Sequence, residues 1–228
     1  FEMTNIRDQC SWVHMHEPKE ATEKAKDLVR SIVAKAKLLK PLKKPRISVT
    51  PIGLVIGGGV SGMTAALELA EQGFEMHLVE KEKELGGHLR NIHYLLGENS
   101  DPKEKLNKLI KAVTENDRVH VYTGAEVVDV YGFVGNFKSR IKLEDQKEKE
   151  IEHGIVIVAT GAVEYKPTEY LYGEDPRVIT QHELEEMIVE GKFKAKNVIM
   201  IQCVGARNEE NPNCARICCG QAMKNAMK

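Results

Sequence analysis

Apolar strand-like runs that alternate with helical patterns predict an α/β fold, a doubly wound and mostly parallel sheet. Three observations carry that expectation. Short apolar runs recur at 52–56, 75–80 and 119–122, with amphipathic helical stretches between them. The run at 155–158, Ile-Val-Ile-Val, is apolar throughout, as befits a strand buried on both faces of a parallel sheet. Directly after the first run stands Gly57-Gly58-Gly59-Val60-Ser61-Gly62, with a helical pattern behind it, where the phosphate-binding turn of such a sheet belongs.

Taken in order, residues 1–16 read as irregular, and residues 18–39 as a helix with Ala21, Ala25, Leu28, Val29, Ile32, Val33 and Ala36 at three- and four-residue spacing. A basic stretch over 37–46 with Pro41 and Pro45 ends that helix and reads as a solvated linker. Residues 63–72 and 103–114 are the next helices. Residues 126–130 are strand-like, 137–143 continue a small sheet, and 144–150 form a charged turn. A last strand is expected at 198–201, running straight into Cys203. The pattern divides the chain into an N-terminal segment (1–45), a dinucleotide-binding domain (46–165) and the start of a second nucleotide-binding-like unit (166–228).

Composition excludes several classes. The 228 residues suffice for one core, or one domain and part of another. A formal net charge of −1 offers nothing to nucleic acid or an anionic membrane. No apolar run approaches the roughly 20 residues of a membrane helix, and the first residues lack a signal-peptide pattern, so a cytoplasmic protein is expected. A chain that opens at Phe1 and stops at Lys228 within a helical pattern reads as a piece of a longer one. No spacing suggests a Ser–His–Asp arrangement or a paired-carboxylate site. His14 and His16, two apart, would point oppositely on a strand and do not suggest a joint metal site.

The glycine loop assigns its own roles. Gly57 makes the tight turn, Gly59 lets the backbone approach a pyrophosphate, and Gly62 permits close helix–strand packing. Val60 and Ser61 open the helix whose N-terminus favours an anion. Glu80, 23 residues after Gly57 at the end of the second strand, is placed to accept ribose hydroxyls. Nicotinamide and flavin sites share this core, and the extension separates them. Glu80-Lys81 followed by Leu85-Gly86-Gly87 resembles the second half of the fingerprint of two-dinucleotide-binding-domain flavoproteins of the thioredoxin reductase type. Ala159-Thr160-Gly161, closing the apolar run, resembles their later flavin-contacting motif. That resemblance implies FAD, with the adenine near Val127.

Four of the five cysteines, Cys203, Cys214, Cys218 and Cys219, fall within seventeen positions. They stand where a second nucleotide loop should follow the strand at 198–201. With Asn213 as cap, a helix starting near Cys214 would set Cys214 and Cys218 on one face, and its N-terminus would favour thiolates. Four sulfurs suit a [4Fe–4S] cluster or a tetrahedral zinc. The spacing matches neither a ferredoxin run nor a zinc knuckle, so a redox dithiol and simple burial stay open beside metal binding. Cys10 reads as a buried small residue.

The strings Cys-Val-Gly-Ala-Arg-Asn-Glu from 203, Cys-Ala-Arg-Ile-Cys-Cys from 214 and Ala-Met-Lys-Asn-Ala from 222 resemble the A-type subunits of heterodisulfide reductase. So do Asn-Ile-Arg-Asp-Gln-Cys-Ser-Trp-Val-His from 5 and Gly-Phe-Val-Gly-Asn-Phe from 132. The resemblance runs through nearly the whole chain. It implies an FAD- and iron–sulfur-dependent oxidoreductase component that relays electrons between the flavin and a [4Fe–4S] cluster. Cys203, Cys214, Cys218 and Cys219 would be the cluster's ligands. Its partners would be other subunits of such a complex, hydrogenase or other electron-donor subunits among them. It also brings Lys224 near the flavin, against the plainer reading of a solvated surface lysine. Two departures matter: no cysteine lies between Phe137 and Ile155, where larger members carry ferredoxin-type runs, and the second nucleotide-binding unit is cut short. Activity of this chain by itself is therefore left open. Two rival functions remain, a flavin-dependent thiol–disulfide oxidoreductase using Cys218 and Cys219, and a non-catalytic module binding FAD or zinc.

Overall fold

The computed structural model describes residues 1–97 and 101–228. It divides into two compact units, Phe1–Ile47 and Ser48–Lys228.

In the first unit the expectation of an irregular start is corrected, because Arg7–Trp12 form a short π-helix. Ile6 is its cap, and just before it Asn5 Oδ1 accepts from the backbone N–H groups of Arg7 (3.2 Å) and Asp8 (2.9 Å). This local side-chain bonding is the signal that composition did not carry. Cys10 is 1% exposed and unpaired, as expected for a buried thiol. Helix α1 (Pro18–Leu38) follows, with proline in its first turn. Leu39 is extended after it, ahead of Pro41 and Pro45.

The second unit is built on a four-stranded parallel sheet in the order β3-β2-β1-β7, from β1 (Ile52–Ile56), β2 (Glu75–Val79), β3 (Val119–Tyr122) and β7 (Ile155–Val158). Its register is continuous, with Gly53–Ile56 lying against Met76–Val79 on one side and 155–158 on the other. Helices α2 (Val60–Glu71) and α3 (Pro102–Thr114) make the parallel crossovers. Alternation along each strand sends successive side chains to opposite faces. Val55, Met76 and Leu78 face α2 and α3, packing with Met63, Ala66, Leu106 and Val113. Leu54 and Val79 face the other way and pack with Ala125, Ile141 and Ile151. Each buried Val, Leu, Ile or Met among them contributes about 1.5–3 kcal/mol.

That second face is covered by an antiparallel meander, β4 (Glu126–Phe133), β5 (Asn136–Lys142) and β6 (Glu148–His153). The charged turn expected over 144–150 is thus shorter, since Glu148 already begins β6. In the meander Ser139 and His153 are buried as a pair at 2.8 Å, and the other ring nitrogen of His153 meets the Ile155 carbonyl at 3.0 Å. His77, His120 and Tyr122 stack along the meander-facing side of β2 and β3, with ring centroids 4.9 and 5.8 Å apart.

Residues 198–201 correct a second expectation. They form no strand, and Ile199 is 88% exposed. An apolar run becomes a strand only when a neighbour supplies its ladder, and among the described residues this run has none. Helix α4 (Gln181–Val189) was not anticipated. It starts with a capping box in which Thr180 and Glu183 satisfy each other's backbone N–H groups. Helix α5 (Cys218–Ala226) ends the described fold. No helix among the described residues is long and apolar enough to cross a membrane.

Candidate flavin and cysteine site

Three separated segments converge at the end of β1. Gly57, at φ +111°, backs onto the third segment: a methyl group there would collide with the Ala159 carbonyl oxygen and lie 3.1 Å from the Thr160 nitrogen. Gly62 sits so close beneath the turn that a methyl group would run into the Gly57 oxygen. Gly59 meets nothing on its open side within 4 Å. It is the cap of α2 and offers no side chain, so the N–H groups of the first helical turn, including those of Val60 and Ser61, have no side-chain partner. An open cradle of glycine backbone at a helix N-terminus is the shape a dinucleotide pyrophosphate needs, and these residues fit FAD.

The second segment closes on the same loop. The Gly86 N–H donates to the Gly58 oxygen at 2.8 Å, and the Gly87 position approaches the Gly59 backbone. Both Gly86 and Gly87 take positive φ. Glu80 is buried, with Oε2 accepting from the Gly58 N–H at 2.5 Å and Oε1 from the Glu82 N–H at 2.8 Å. A carboxylate has about four lone-pair sites, so two are left for hydroxyls. Lys81 points to solvent beside Glu82. Val127 packs against the core between sheet and meander, and a register shift follows it in β4. Gly161 takes φ +67° with open space around it.

The cysteine segment is arranged differently from the expectation. Helix α5 begins at Cys218, with Ile217 as its cap, so Cys214 is not on the helix and does not share a helical face with Cys218. Arg216, at φ +63°, breaks the backbone before it, and its N–H donates to the Cys214 sulfur at 3.3 Å. Cys203 also takes a positive φ, +62°, in a turn closed by the Ala206 N–H on the Cys203 oxygen at 3.1 Å. The backbone N–H of Cys203 is the first influence holding the Cys218 thiol below its ordinary pKa, with help from Cys219 and against desolvation. Cys219 is pushed the other way, first by the charge of Cys218, then by desolvation and by the charges of Cys203 and Cys214. The four thiols thus feel one another, and their soft chemistry suits a metal centre. Among the described residues, however, no three Cys, His, Asp or Glu side chains converge at metal-holding geometry.

Lys224 is not a solvated surface residue. It is buried on α5, with Nζ 2.7 Å from Oε2 of the fully buried Glu185 on α4. Glu185 Oε1 accepts from the His93 N–H (2.7 Å), and the Tyr94 ring lies 4.9 Å from the Lys224 ammonium. The Tyr94 hydroxyl, pushed up to about 12 by desolvation and then by the Glu185 charge, donates to Asn225 Oδ1 at 2.8 Å. Asn225 in turn donates to the Gln181 oxygen. Sequence reasoning missed Glu185. Its signal was available, because Leu184, Glu185 and Ile188 at helical spacing behind the Thr180 cap place it on an inward face.

A family model described as pyridine nucleotide-disulphide oxidoreductase matches residues 53–201. The A-type subunit of the H(2):CoB-CoM heterodisulfide,ferredoxin reductase of Methanothermobacter thermautotrophicus is 34% identical over 323 aligned positions, covering 99% of this chain and 48% of the relative. The second A-type iron-sulfur subunit of the CoB--CoM heterodisulfide reductase of Methanopyrus kandleri is 35% identical over 317, covering 98% and 48%. A protein of Archaeoglobus profundus, likewise similar to the A-type subunits of heterodisulfide reductase, reaches 42% over 142 positions, covering 62% of this chain and 20% of its own. The chain therefore spans about half the length of the first two relatives. The 323 aligned positions exceed the 228 residues here, so the Methanothermobacter protein carries at least 95 positions without a counterpart within the matched region. Among solved structures, L-proline dehydrogenase from P. horikoshii is similar at 25% identity and a TM-score of 0.46, over 68% of this chain and 31% of that one. With its parallel sheet and glycine loop, the chain belongs to the pyridine nucleotide-disulphide oxidoreductase family, as a flavin oxidoreductase domain similar to the A-type subunits of heterodisulfide reductase.

Proposed function

We propose that this chain is the flavin-binding, electron-relaying part of a protein like the A-type subunits of heterodisulfide reductase, and that Cys203, Cys214, Cys218 and Cys219 ligate a [4Fe–4S] cluster beside it. The observation that carries the reading is the packing of Ala159–Thr160 on Gly57 and of Gly86–Gly87 on Gly58 and Gly59, with the far side of Gly59 left open. In this reading the first-turn N–H groups of α2 hold the pyrophosphate, and Glu80 accepts the ribose hydroxyls with the lone pairs its backbone donors leave free. Val127 lies near the adenine, and Thr160 and Gly161 near the flavin end. When bound, the flavin exchanges electrons in pairs or singly and the cluster one at a time. The chain's residues hold both cofactors, and the Cys203 N–H and the N-terminus of α5 favour the thiolate form of Cys218. Lys224, paired with Glu185, holds α5 against α4 and fixes where the thiolates stand. The reading places the chain in the cytoplasm, docked to partner subunits where substrate is reduced.

The depressed Cys218 thiol next to Cys219 supports a second reading, a flavin-linked dithiol that exchanges with a disulfide. An anaerobic absorption spectrum of the purified full-length protein and of a Cys203→Ser/Cys218→Ser variant, with iron, zinc and acid-labile sulfide assayed on the same samples, separates the two. About four irons and matching sulfides per chain lost in the variant, with flavin bands kept in both, is the expected result. Flavin with no change in iron or sulfide on substitution sinks the four-cysteine cluster and leaves the dithiol.

A further inference from the structure

The stretch between α1 and β1 carries charge and apolar surface that neither the flavin loop nor the cysteine segment uses. From Leu28 to Leu67 the chain holds seven Lys or Arg and no Asp or Glu. Arg30 pairs with Asp27 and Lys35 with Glu2. The other five, Lys37, Lys40, Lys43, Lys44 and Arg46, have no acidic partner among the described residues. Residues 40–47 form no helix, strand or turn, take no positive φ, and make no backbone hydrogen bond among the described residues. Leu39 opens the stretch at φ −66° and ψ 135°, in the polyproline-II region. Pro41 and Pro45 fix their own φ, and each pushes the residue before it, Lys40 and Lys44, to extended backbone. A polyproline-II chain turns once every three residues, which sorts 39–47 into ridges. Leu39, Leu42 and Pro45 make one ridge. Lys40, Lys43 and Arg46 make the next, with cations about 9 Å apart along it. The apolar side chains are uncovered: Leu42 is 96% exposed.

We infer that residues 39–47 are a docking peptide for an acidic groove on a partner protein, the Leu39–Leu42–Pro45 ridge lying on an apolar floor and the Lys40–Lys43–Arg46 ridge against carboxylates on the groove wall. The inference needs neither the flavin nor the cysteine reading. Charge argues for the acidic wall, because the stretch offers cations alone and leaves them unpaired. Pre-extended backbone argues for a peptide ligand, since little conformational freedom is left to lose on docking. A bilayer fits less well. Burying the leucine ridge in hydrocarbon would strand the N–H and C=O groups of a backbone that makes no bonds of its own, whereas a protein groove can pair them. Nucleic acid fits less well again, because the stretch has no aromatic ring to stack on bases and its leucines would find no floor. Just past the stretch the chain is fastened, the Ser48 oxygen accepting from Asn136 Nδ2 at 2.7 Å and the Thr50 N–H donating to the Gly135 oxygen at 2.9 Å.

The test uses the full-length protein made in its own organism with the photoreactive p-benzoylphenylalanine in place of Leu42, alone and combined with Lys43→Glu or Lys44→Glu. Lys43 and Lys44 are both exposed and adjacent, so the two reversals carry the same charge change on different ridges. After irradiation the crosslinked peptides are identified by mass spectrometry, and binding of each purified protein to vesicles of phosphatidylcholine and phosphatidylglycerol is measured alongside. The expected result is a crosslink from position 42 to another protein, within a peptide rich in Asp and Glu. Lys43→Glu should lower its yield about fivefold or more, and Lys44→Glu should leave it within about twofold. Equal losses from the two reversals overturn the ridge. A crosslink confined to this chain or to a second copy of it overturns the partner, and so does no crosslink at all. Vesicle binding that Lys43→Glu abolishes, with no crosslink to protein, makes the membrane the occupant and also overturns the inference.

Discussion

The glycine loop and the cysteine segment both stand out in the sequence, yet the fold treats them differently. The loop is framed on every side: β1 before it, α2 after it, Glu80 and Gly86 bonded to Gly58, and Ala159 bonded to the Ile56 oxygen. The cysteine segment has little regular structure until Cys218, and its turns rely on left-handed Cys203, Arg207 and Arg216. It is tied down chiefly through α5, whose Lys224 and Asn225 are locked to α4 and to the loop at Tyr94. The difference teaches that a phosphate loop is shaped by hydrogen bonds within its own βα unit. A group of cysteines drawn from a loop and a distant helix end is shaped by whatever holds that helix.

The hardest blow to that contrast is Lys224→Met. Removing one partner of a buried ion pair strands the other charge, and a cost of about 3–5 kcal/mol is expected. The loss should be local, seen as a sharp rise in the reactivity of Cys203 and Cys218 toward a thiol reagent while flavin stays bound. Adding Glu185→Gln should recover much of the stability. Simultaneous release of flavin and thiols in Lys224→Met would erase the distinction between the regions.

Gly62→Ala strikes the other side. The methyl group would collide with the Gly57 carbonyl, and overpacking of this kind costs about 3 kcal/mol. Flavin content and the urea midpoint should fall together, with thiol reactivity little changed. Gly59→Ala sharpens the point. Its φ of −74° and open surroundings accept a methyl group without strain, so the urea midpoint should hold. The methyl group would stand where the pyrophosphate approaches, and flavin affinity measured by fluorescence titration should fall about tenfold or more, 1.4 kcal/mol per decade. A variant with unchanged affinity would place the dinucleotide elsewhere.

The smallest effect is a pH dependence away from both regions. His77 is held down to about 4 from the ordinary 6.5, first by desolvation, then by the charges of His120 and Lys149, with Glu75 opposing and His153 adding slightly. The unfolded chain binds this proton near 6.5 and the folded chain only near 4. Stability from this residue is therefore complete above 6.5 and declines as pH falls toward 4. Urea midpoints between pH 4.5 and 7 should slope less in His77→Phe, which keeps a ring beside Tyr122. His153, also lowered by burial, leaves some slope in both proteins. Equal slopes would remove His77 from the account.

Where reading the residues succeeded, the physics was local. Strands β1, β2, β3 and β7 were legible because apolar runs bounded by glycine turns state their own period, and helices α2 and α3 because their faces repeat every three to four residues. The loop's glycines were legible because each answers a steric demand within a few residues. The failures share one cause. The run at 198–201 has strand composition and no ladder partner, so composition alone misled. The helix expected at Cys214 starts four residues later because Arg216 is left-handed, a choice that no propensity of Arg announces.

By itself the sequence determined the parallel α/β order, the dinucleotide turn, the end of α1 ahead of its prolines, and the grouping of thiols near the end of the chain. These follow from spacing, sterics and backbone hydrogen bonds that close over short distances. Only the tertiary structure decided that Lys224 is buried against Glu185, that the Cys218 thiol has its pKa lowered by the Cys203 backbone, and that Gln202 Nε2 is buried without a partner among the described residues. Burial and pairing between segments dozens of residues apart are properties of the packed chain. A side chain's desolvation, and hence its charge and its need for a partner, is set by neighbours that sequence distance does not reveal.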